Sequence, residues 1–154
     1  MKLHQLTHSE EKTIIRFGII LFWWLFWLFN VVDKFIPREA PFWLGSNRYG
    51  EFIEDFDRIG IHHPQISLVF LIFVTVLEII TFLFLTSALK FSVGGKTNLA
   101  HKFFFLGILA PLLIFSLFIM GDEIFGNRIE LLAHSIYWIL LVFSWFVYTR
   151  AEES

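Results

Sequence analysis

Four long stretches of the chain are almost wholly apolar, and they dominate the pattern of hydrophobic and polar positions. They cover residues 13–32, 67–89, 103–120 and 131–148. A helix of roughly 20 apolar residues crosses the hydrocarbon core of a bilayer, and lipid offers no partner to an unpaired backbone group. The runs do not alternate polar with apolar residues as barrel strands do. The pattern therefore predicts an all-α bundle of four transmembrane helices, with residues 1–154 as one membrane domain.

The connection between the first two spans, residues 33–66, carries a helical pattern of its own. Its apolar positions recur at the spacing of one helix face, at Tyr49, Phe52, Ile53, Phe56 and Ile59. Acidic and basic side chains occupy the other face, which is typical of an amphipathic helix. Ser46 is the predicted N-cap, and Gly60 is predicted to end the helix. We expect this helix to lie flat over one end of the bundle.

The distribution of Lys and Arg predicts the orientation of the spans. With the N-terminus inside, the inner flanks hold seven Lys and Arg residues and the outer flanks hold five. Residues 90–102 contain three lysines and no acid. Because positive charge favours the cytoplasmic side, both termini are predicted to be cytoplasmic. The connection 33–66 is then on the outer side, where most of the acidic residues also lie.

Composition agrees with a chain whose solvent is lipid. Apolar residues make up 56 % of the sequence and charged residues 17 %, whereas soluble domains average about 45–50 % and about 25 %. The net charge of −2 and the lack of a basic tract argue against nucleic-acid binding. The absence of Cys excludes disulfides, Cys-held iron–sulfur clusters and Cys-type zinc sites. The predicted partners are the lipid bilayer and other membrane-protein subunits.

Glu78 is the most informative single residue, because it stands at the midpoint of the second span. A carboxylate at this depth costs about 2.5–3.5 kcal/mol on insertion scales, so ionisable residues inside spans are usually functional. Thr75 and Thr81 lie three residues before and after it and extend a weakly polar stripe. Two interpretations follow. Glu78 is either part of a site for a ligand such as a quinone or a lipid, or a structural residue that pairs with a Trp N–H or with Tyr137.

Three further residues of the first span are candidates for the same ligand site. Arg16 lies about one turn inside the span, where it either reaches back to the headgroups or pairs with a ligand or an acid. Trp23 and Trp24 are too central for an interfacial belt, so their indole N–H groups need buried partners. Packing in the core is the favoured interpretation of both rings, and a pocket for a flat ligand is the alternative.

A metal site is a lesser alternative. His62 and His63 precede the second span, and Glu130 and His134 share one face at the start of the fourth. Imidazoles and carboxylates of this kind bind transition metals, although the spacing matches no compact metal motif. The chain has no phosphate-binding Gly loop and no nucleophile elbow. We therefore predict no catalytic activity of its own, and no cofactor is certain.

One ordered set of residues resembles a known family. Arg16 early in the first span, Lys34 just after it, a GIHHP turn at 60–64 and Glu78 follow one another within about the first 90 residues. This order resembles the DoxX-like family of small four-helix membrane proteins, which includes the membrane subunit of thiosulfate:quinone oxidoreductase and methylamine-utilisation accessory proteins. The resemblance implies an accessory or structural subunit of a larger redox complex in a prokaryotic cytoplasmic membrane. A stand-alone quinone- or lipid-binding protein centred on Glu78 is the alternative.

Overall fold

The computed structural model describes residues 8–36 and 47–153, which form five helices. These are α1 (His8–Asp33), α2 (Arg48–Arg58), α3 (Pro64–Val93), α4 (Thr97–Phe125) and α5 (Arg128–Glu153). Helices α1, α3, α4 and α5 are long and apolar enough to cross a membrane. The predicted all-α fold class is therefore confirmed. Each long helix extends beyond its predicted span, because hydropathy detects only the apolar middle of a helix and not its polar ends.

The four long helices form a closed bundle in which each packs against two neighbours. Helix α1 contacts α3 and α5, and α4 contacts the same two helices from the other side. Short turns connect α3 to α4 and α4 to α5, so these neighbours are antiparallel. Helix α4 ends at Phe125 and is followed by Gly126, whose φ of 74° is a left-handed conformation that glycine adopts without a steric cost. The tight turn brings the start of α5 back beside the end of α4.

Large aromatic side chains fill the centre of the bundle. Trp23 and Trp27 of α1 and Tyr148 of α5 are each 1 % exposed. Leu85 of α3 and Phe104 of α4 are wholly buried among them. Exposed apolar side chains cover the outer surface of all four long helices. An apolar surface of this extent is the arrangement expected where lipid tails surround the bundle.

Helix α2 confirms the predicted amphipathic segment. It spans Arg48–Arg58 and is preceded by Asn47, while the predicted cap Ser46 lies outside the described residues. Gly60 follows the helix with a φ of 82°, and its backbone N–H donates to the carbonyl of Asp57 over 3.0 Å. A glycine is favoured at this position because other residues rarely adopt a positive φ. The predicted end of the helix is thus confirmed to within two residues.

The apolar face of α2 packs against α3 and α4. Phe56 is the buried residue of this face, and its ring lies 5.7 Å from Phe70 and 5.4 Å from Phe125 between centroids. Tyr49 donates a hydrogen bond to the carbonyl of Pro64 over 3.3 Å. We call the end of the bundle where α1 ends and α3 begins the α2 end. The other end carries the first turn of α1 and the connection from α3 to α4.

Candidate ligand-binding site

A cavity of about 500 Å³ opens at the α2 end of the bundle. All five helices contribute to its walls, and α2 forms its outer side. Its volume is within the range of about 300–1,000 Å³ that is usual for small-molecule sites. The cavity has three kinds of lining, which are an aromatic floor, two buried polar pairs and an acidic mouth.

Four aromatic rings form the floor, which is the part farthest from α2 along the helices. Phe26 and Trp27 come from α1, Phe115 from α4 and Tyr137 from α5. The ring of Phe115 lies 5.8 Å from Trp27 and 5.4 Å from Tyr137 between centroids. Phe26 lies 5.1 Å from Tyr137 and closes the set. Contacting rings at these distances form a stiff apolar surface against which a flat molecule can stack.

Glu78 is buried in the wall of this cavity and pairs with Lys34. Glu78 is 4 % exposed, and its carboxylate contacts the ammonium group of Lys34, which follows the last residue of α1. Lys34 Nζ also lies 3.4 Å from the carbonyl of Asn30 one turn earlier. A buried carboxylate is stable only with a partner, and the ammonium of Lys34 supplies one at the same depth. The pair places two opposite charges on an otherwise apolar wall.

A second buried polar pair connects α4 to α5. His134 Nδ1 lies 2.6 Å from Asp122 Oδ2, and Asp122 is only 6 % exposed. Phe118 contacts the imidazole at 4.8 Å between centroids. A neutral His134 that donates from Nδ1 keeps Nε2 as a hydrogen-bond acceptor. The Asp122 carboxylate therefore orients an imidazole in the wall of the cavity.

The mouth of the cavity is acidic. Asp55 of α2 has a raised pKa because burial disfavours its charged form, an effect that the guanidinium of Arg58 partly offsets. The carboxylates of Asp122, Glu51 and Glu54 raise the pKa of Asp55 further. The acids contributed by α2 and α4 therefore face one another closely enough to repel. Negative charge accumulates at the side of the cavity that α2 covers.

Of the six predicted ligand-site residues, Glu78 alone lines this cavity. The hydroxyl of Thr75 donates to the carbonyl of Leu71, and that of Thr81 donates to the carbonyl of Leu77. Each Thr thus bonds within its own helix, as mid-helix Thr residues commonly do. The predicted weakly polar stripe around Glu78 therefore consists of hydroxyls that donate their protons within α3.

The two predicted tryptophans bond to other helices away from the cavity. Trp23 donates from its indole nitrogen to the hydroxyl of Ser144 over 2.9 Å, and Trp24 donates to Thr86 over the same distance. Both side chains therefore connect α1 to its neighbours, which agrees with the favoured packing interpretation. Trp27 has the larger role at the site, since its ring belongs to the floor.

Arg16 lies toward the end of the bundle opposite the cavity that Glu78 lines. Its guanidinium donates to the hydroxyl of Tyr148 over 2.9 Å and stands 4.5 Å from the centroid of that ring. Arg16 precedes Lys34 by 18 residues, which corresponds to about 27 Å along the axis of α1 at the usual rise of a helix. Arg16 and Glu78 therefore belong to different regions of the fold. The cationic partner of Glu78 is Lys34.

The four predicted metal ligands are not brought together. His62 Nδ1 lies 3.0 Å from Asp57 Oδ1 near the end of α2, and His63 directly precedes α3 without a side-chain capping hydrogen bond. Glu130 and His134 are on α5, where His134 is engaged by Asp122. Among residues 8–36 and 47–153, no group of three or more His, Asp or Glu side chains is placed to hold a metal ion. The separation arises because His62 and His63 lie between α2 and α3, whereas Glu130 and His134 lie on α5.

Two features of the cavity were not predicted from the sequence. They are the pairing of Lys34 with Glu78 and the contact of Asp122 with His134. A signal for the first was present, since a buried carboxylate needs a cation and Lys34 directly follows the first span. The signal for the second was weaker. Asp122 follows the third span, and its nearness to His134 depends on the tight turn at Gly126.

No family model, curated protein or solved structure matches this chain. The resemblance to the DoxX-like family therefore stays a prediction from the sequence. Two of the residues that carry it, Lys34 and Glu78, form the buried ion pair. A third, Arg16, lies at the far end of α1, where it contacts Tyr148.

Proposed function

We propose that this chain is a membrane protein that binds a small amphipathic organic molecule in the cavity at the α2 end. One observation carries the proposal, which is a cavity of about 500 Å³ with a buried Lys34–Glu78 ion pair in an aromatic wall. Concave sites with mostly apolar walls and a few convergent polar groups are the usual form of ligand sites. Buried charges inside a bundle are costly to maintain, which supports a functional role for the pair.

The aromatic floor and the buried polar pairs suit two different parts of a ligand. The floor of Phe26, Trp27, Phe115 and Tyr137 suits a ring or another apolar body. The charged pair and the oriented imidazole of His134 suit a polar group that exchanges hydrogen bonds. The proposal refines the alternative drawn from the sequence, a quinone- or lipid-binding protein centred on Glu78. It keeps Glu78 and replaces the other five predicted residues with Lys34 and the aromatic floor. The five are Arg16, Thr75, Thr81, Trp23 and Trp24.

A role as an accessory subunit of a redox complex, which the DoxX resemblance implies, is a separate proposal. The exposed apolar surface of the bundle suits lipid tails and an apolar protein partner equally well. That surface therefore favours neither environment. The cavity, in contrast, needs an explanation that lipid solvation of the outer surface does not provide.

Photocrosslinking inside the living cell tests the proposed binding site. We expect the substitution Phe118→p-benzoylphenylalanine to capture a small organic molecule on irradiation, because Phe118 lines the cavity. The matched control is Phe73→p-benzoylphenylalanine, which places the same group on the exposed surface of α3. Mass spectrometry of the purified protein identifies the adducts. The proposal fails if both variants capture the same bulk lipids, or if the Phe118 variant captures nothing.

A further inference from the structure

We infer that the ligand of this cavity is an organic cation, a hydrophobic ammonium whose apolar body rests on the aromatic floor. The inference rests on the proposed function and adds the charge of the ligand. Three independent properties of the cavity carry it. They are the sign of the charge on its lining, the ammonium group that it already accommodates, and the aromatic rings that line it.

The lining of the cavity carries an excess of negative charge. Five carboxylates line it, those of Glu51, Asp55, Glu78, Asp122 and Glu130, against the two cations Lys34 and Arg48. The field of such a lining is strengthened by apolar walls, because charges interact more strongly away from water. A cation entering the cavity is therefore attracted, and an anion is repelled.

Most of these carboxylates already have partners. Three of them pair with a neighbouring side chain besides Glu78 with Lys34: Glu51 with Arg48 at 3.1 Å, Asp55 with Arg58 at 3.2 Å, and Asp122 with His134. Glu130 lines the cavity and makes no side-chain ion pair with any residue in the described part of the chain. It is therefore the carboxylate that remains for the ligand. Its position on α5, one turn before His134, places it on the wall rather than on the outer surface.

Glu78 provides an example of the proposed interaction within the chain itself. The ammonium group of Lys34 lies against this carboxylate with its side chain only 12 % exposed. The wall of the cavity thus stabilises one alkylammonium group in a largely desolvated position. The same chemistry, a carboxylate beside apolar walls, recognises an ammonium group on a ligand.

The aromatic lining supplies the second component of cation recognition. Phe115, Phe118 and Tyr137 line the cavity on the side of α4 and α5, where Glu130 and Asp122 also lie. Ring faces attract cations, and quaternary ammonium groups are commonly held by several rings together. A neutral quinone gains stacking from these rings but nothing from the excess of negative charge. The observations therefore favour a cation over a neutral ring.

A pair of probes that differ in charge alone tests this inference. Phenyltrimethylammonium and tert-butylbenzene have the same shape, and only the first is charged. Binding to the full chain in zwitterionic nanodiscs is measured by equilibrium dialysis, with empty nanodiscs subtracting partition into lipid. We expect the cation to bind at least about tenfold more tightly than its neutral counterpart, as expected for one uncompensated carboxylate at short range.

A charge-neutralising variant locates the effect. Glu130→Gln is expected to weaken binding of phenyltrimethylammonium about tenfold. Glu123→Gln is the matched control, because it removes the same charge from an exposed residue that pairs with Arg128 outside the cavity lining. We expect less than about a twofold change in the control, since solvent screens an exposed charge.

Each remaining outcome has a defined meaning. Equal binding of both probes, or equal effects of the two variants, overturns the cation inference and leaves cavity binding as the function. Failure of both probes to bind also overturns it, and photocrosslinking at Phe118 then decides separately whether the cavity binds another class of molecule. Preferential binding of the cation that depends on Glu130 supports the inference.

Discussion

Replacing Lys34 with methionine is expected to lower the free energy of unfolding by about 3–5 kcal/mol. The substitution shortens the unbranched side chain by one heavy atom and leaves the Glu78 carboxylate buried without its cation. Removing one member of a buried pair costs more than the pair contributes, because the remaining charge has lost both water and partner. Reversible unfolding in mixed detergent micelles measures the change.

Two further variants separate the ion pair from a general loss of charge. Lys102→Met removes an exposed lysine from α4 at the other end of the bundle, so a change within about 0.5 kcal/mol is expected. In the double variant Lys34→Met with Glu78→Met, most of the lost stability should return, because no charge stays buried. An effect of Lys34→Met no larger than that of Lys102→Met would contradict the buried pair. So would a double variant as unstable as the sum of its single variants.

The substitution Gly107→Ala is expected to destabilise the bundle by about 1–3 kcal/mol. Gly107 is buried where α4 approaches α3, and an added Cβ would lie 2.7 Å from Leu85 Cδ2 and 2.9 Å from its Cγ. Leu85 is itself wholly buried in the core and has little room to move. The loss exceeds the gain of up to about 1 kcal/mol that alanine normally brings to a helix.

Gly18→Ala is the matched control for this prediction. It makes the same substitution inside a long helix, but an added Cβ at Gly18 meets nothing within 4 Å. We expect the free energy of unfolding to stay the same or to rise slightly. If both substitutions have the same effect, the close approach of α3 and α4 at Gly107 does not contribute to stability.

The membrane spans could be predicted from the sequence because a bilayer permits few backbone structures. A long apolar run must be helical in lipid, so hydropathy alone located α1, α3, α4 and α5. The spacing of apolar residues located α2 for a different reason, since an amphipathic face repeats with the helical period. Both arguments depend on local sequence and on the solvent.

The site was predictable only in part, because its geometry depends on contacts between distant residues. Glu78 was identified from its cost in an apolar span, which is a local property. Its partner Lys34 is 44 positions away in the chain, and the pair forms only where the end of α1 packs beside α3 in the folded bundle. Arg16 was grouped with Glu78 because both are charged residues within apolar spans. Their separation follows from where the helices begin and end.

Hydroxyl and indole groups were the hardest side chains to place. Thr75 and Thr81 were predicted to face a ligand, but each bonds to a carbonyl of its own helix. Trp23 donates a hydrogen bond to α5 and Trp24 donates one to α3, whereas Trp27 lines the cavity. These residues have the same chemistry in the sequence. Trp23 and Trp27 share one face of α1, so the depth of the cavity along the bundle, and not the chemistry of the residue, places only Trp27 in its floor.

Native mass spectrometry of the protein, extracted gently from its own membrane at natural abundance, tests the central claim most directly. Two variants of α3 accompany the wild type. Leu71→Trp places bulk in the cavity, and Leu68→Trp places the same bulk on the exposed surface one turn earlier. We predict that the wild type and Leu68→Trp carry the added mass of a small organic molecule and that Leu71→Trp does not. Equal added mass on all three proteins, or a wild type found in a larger protein assembly without any organic ligand, would contradict the account.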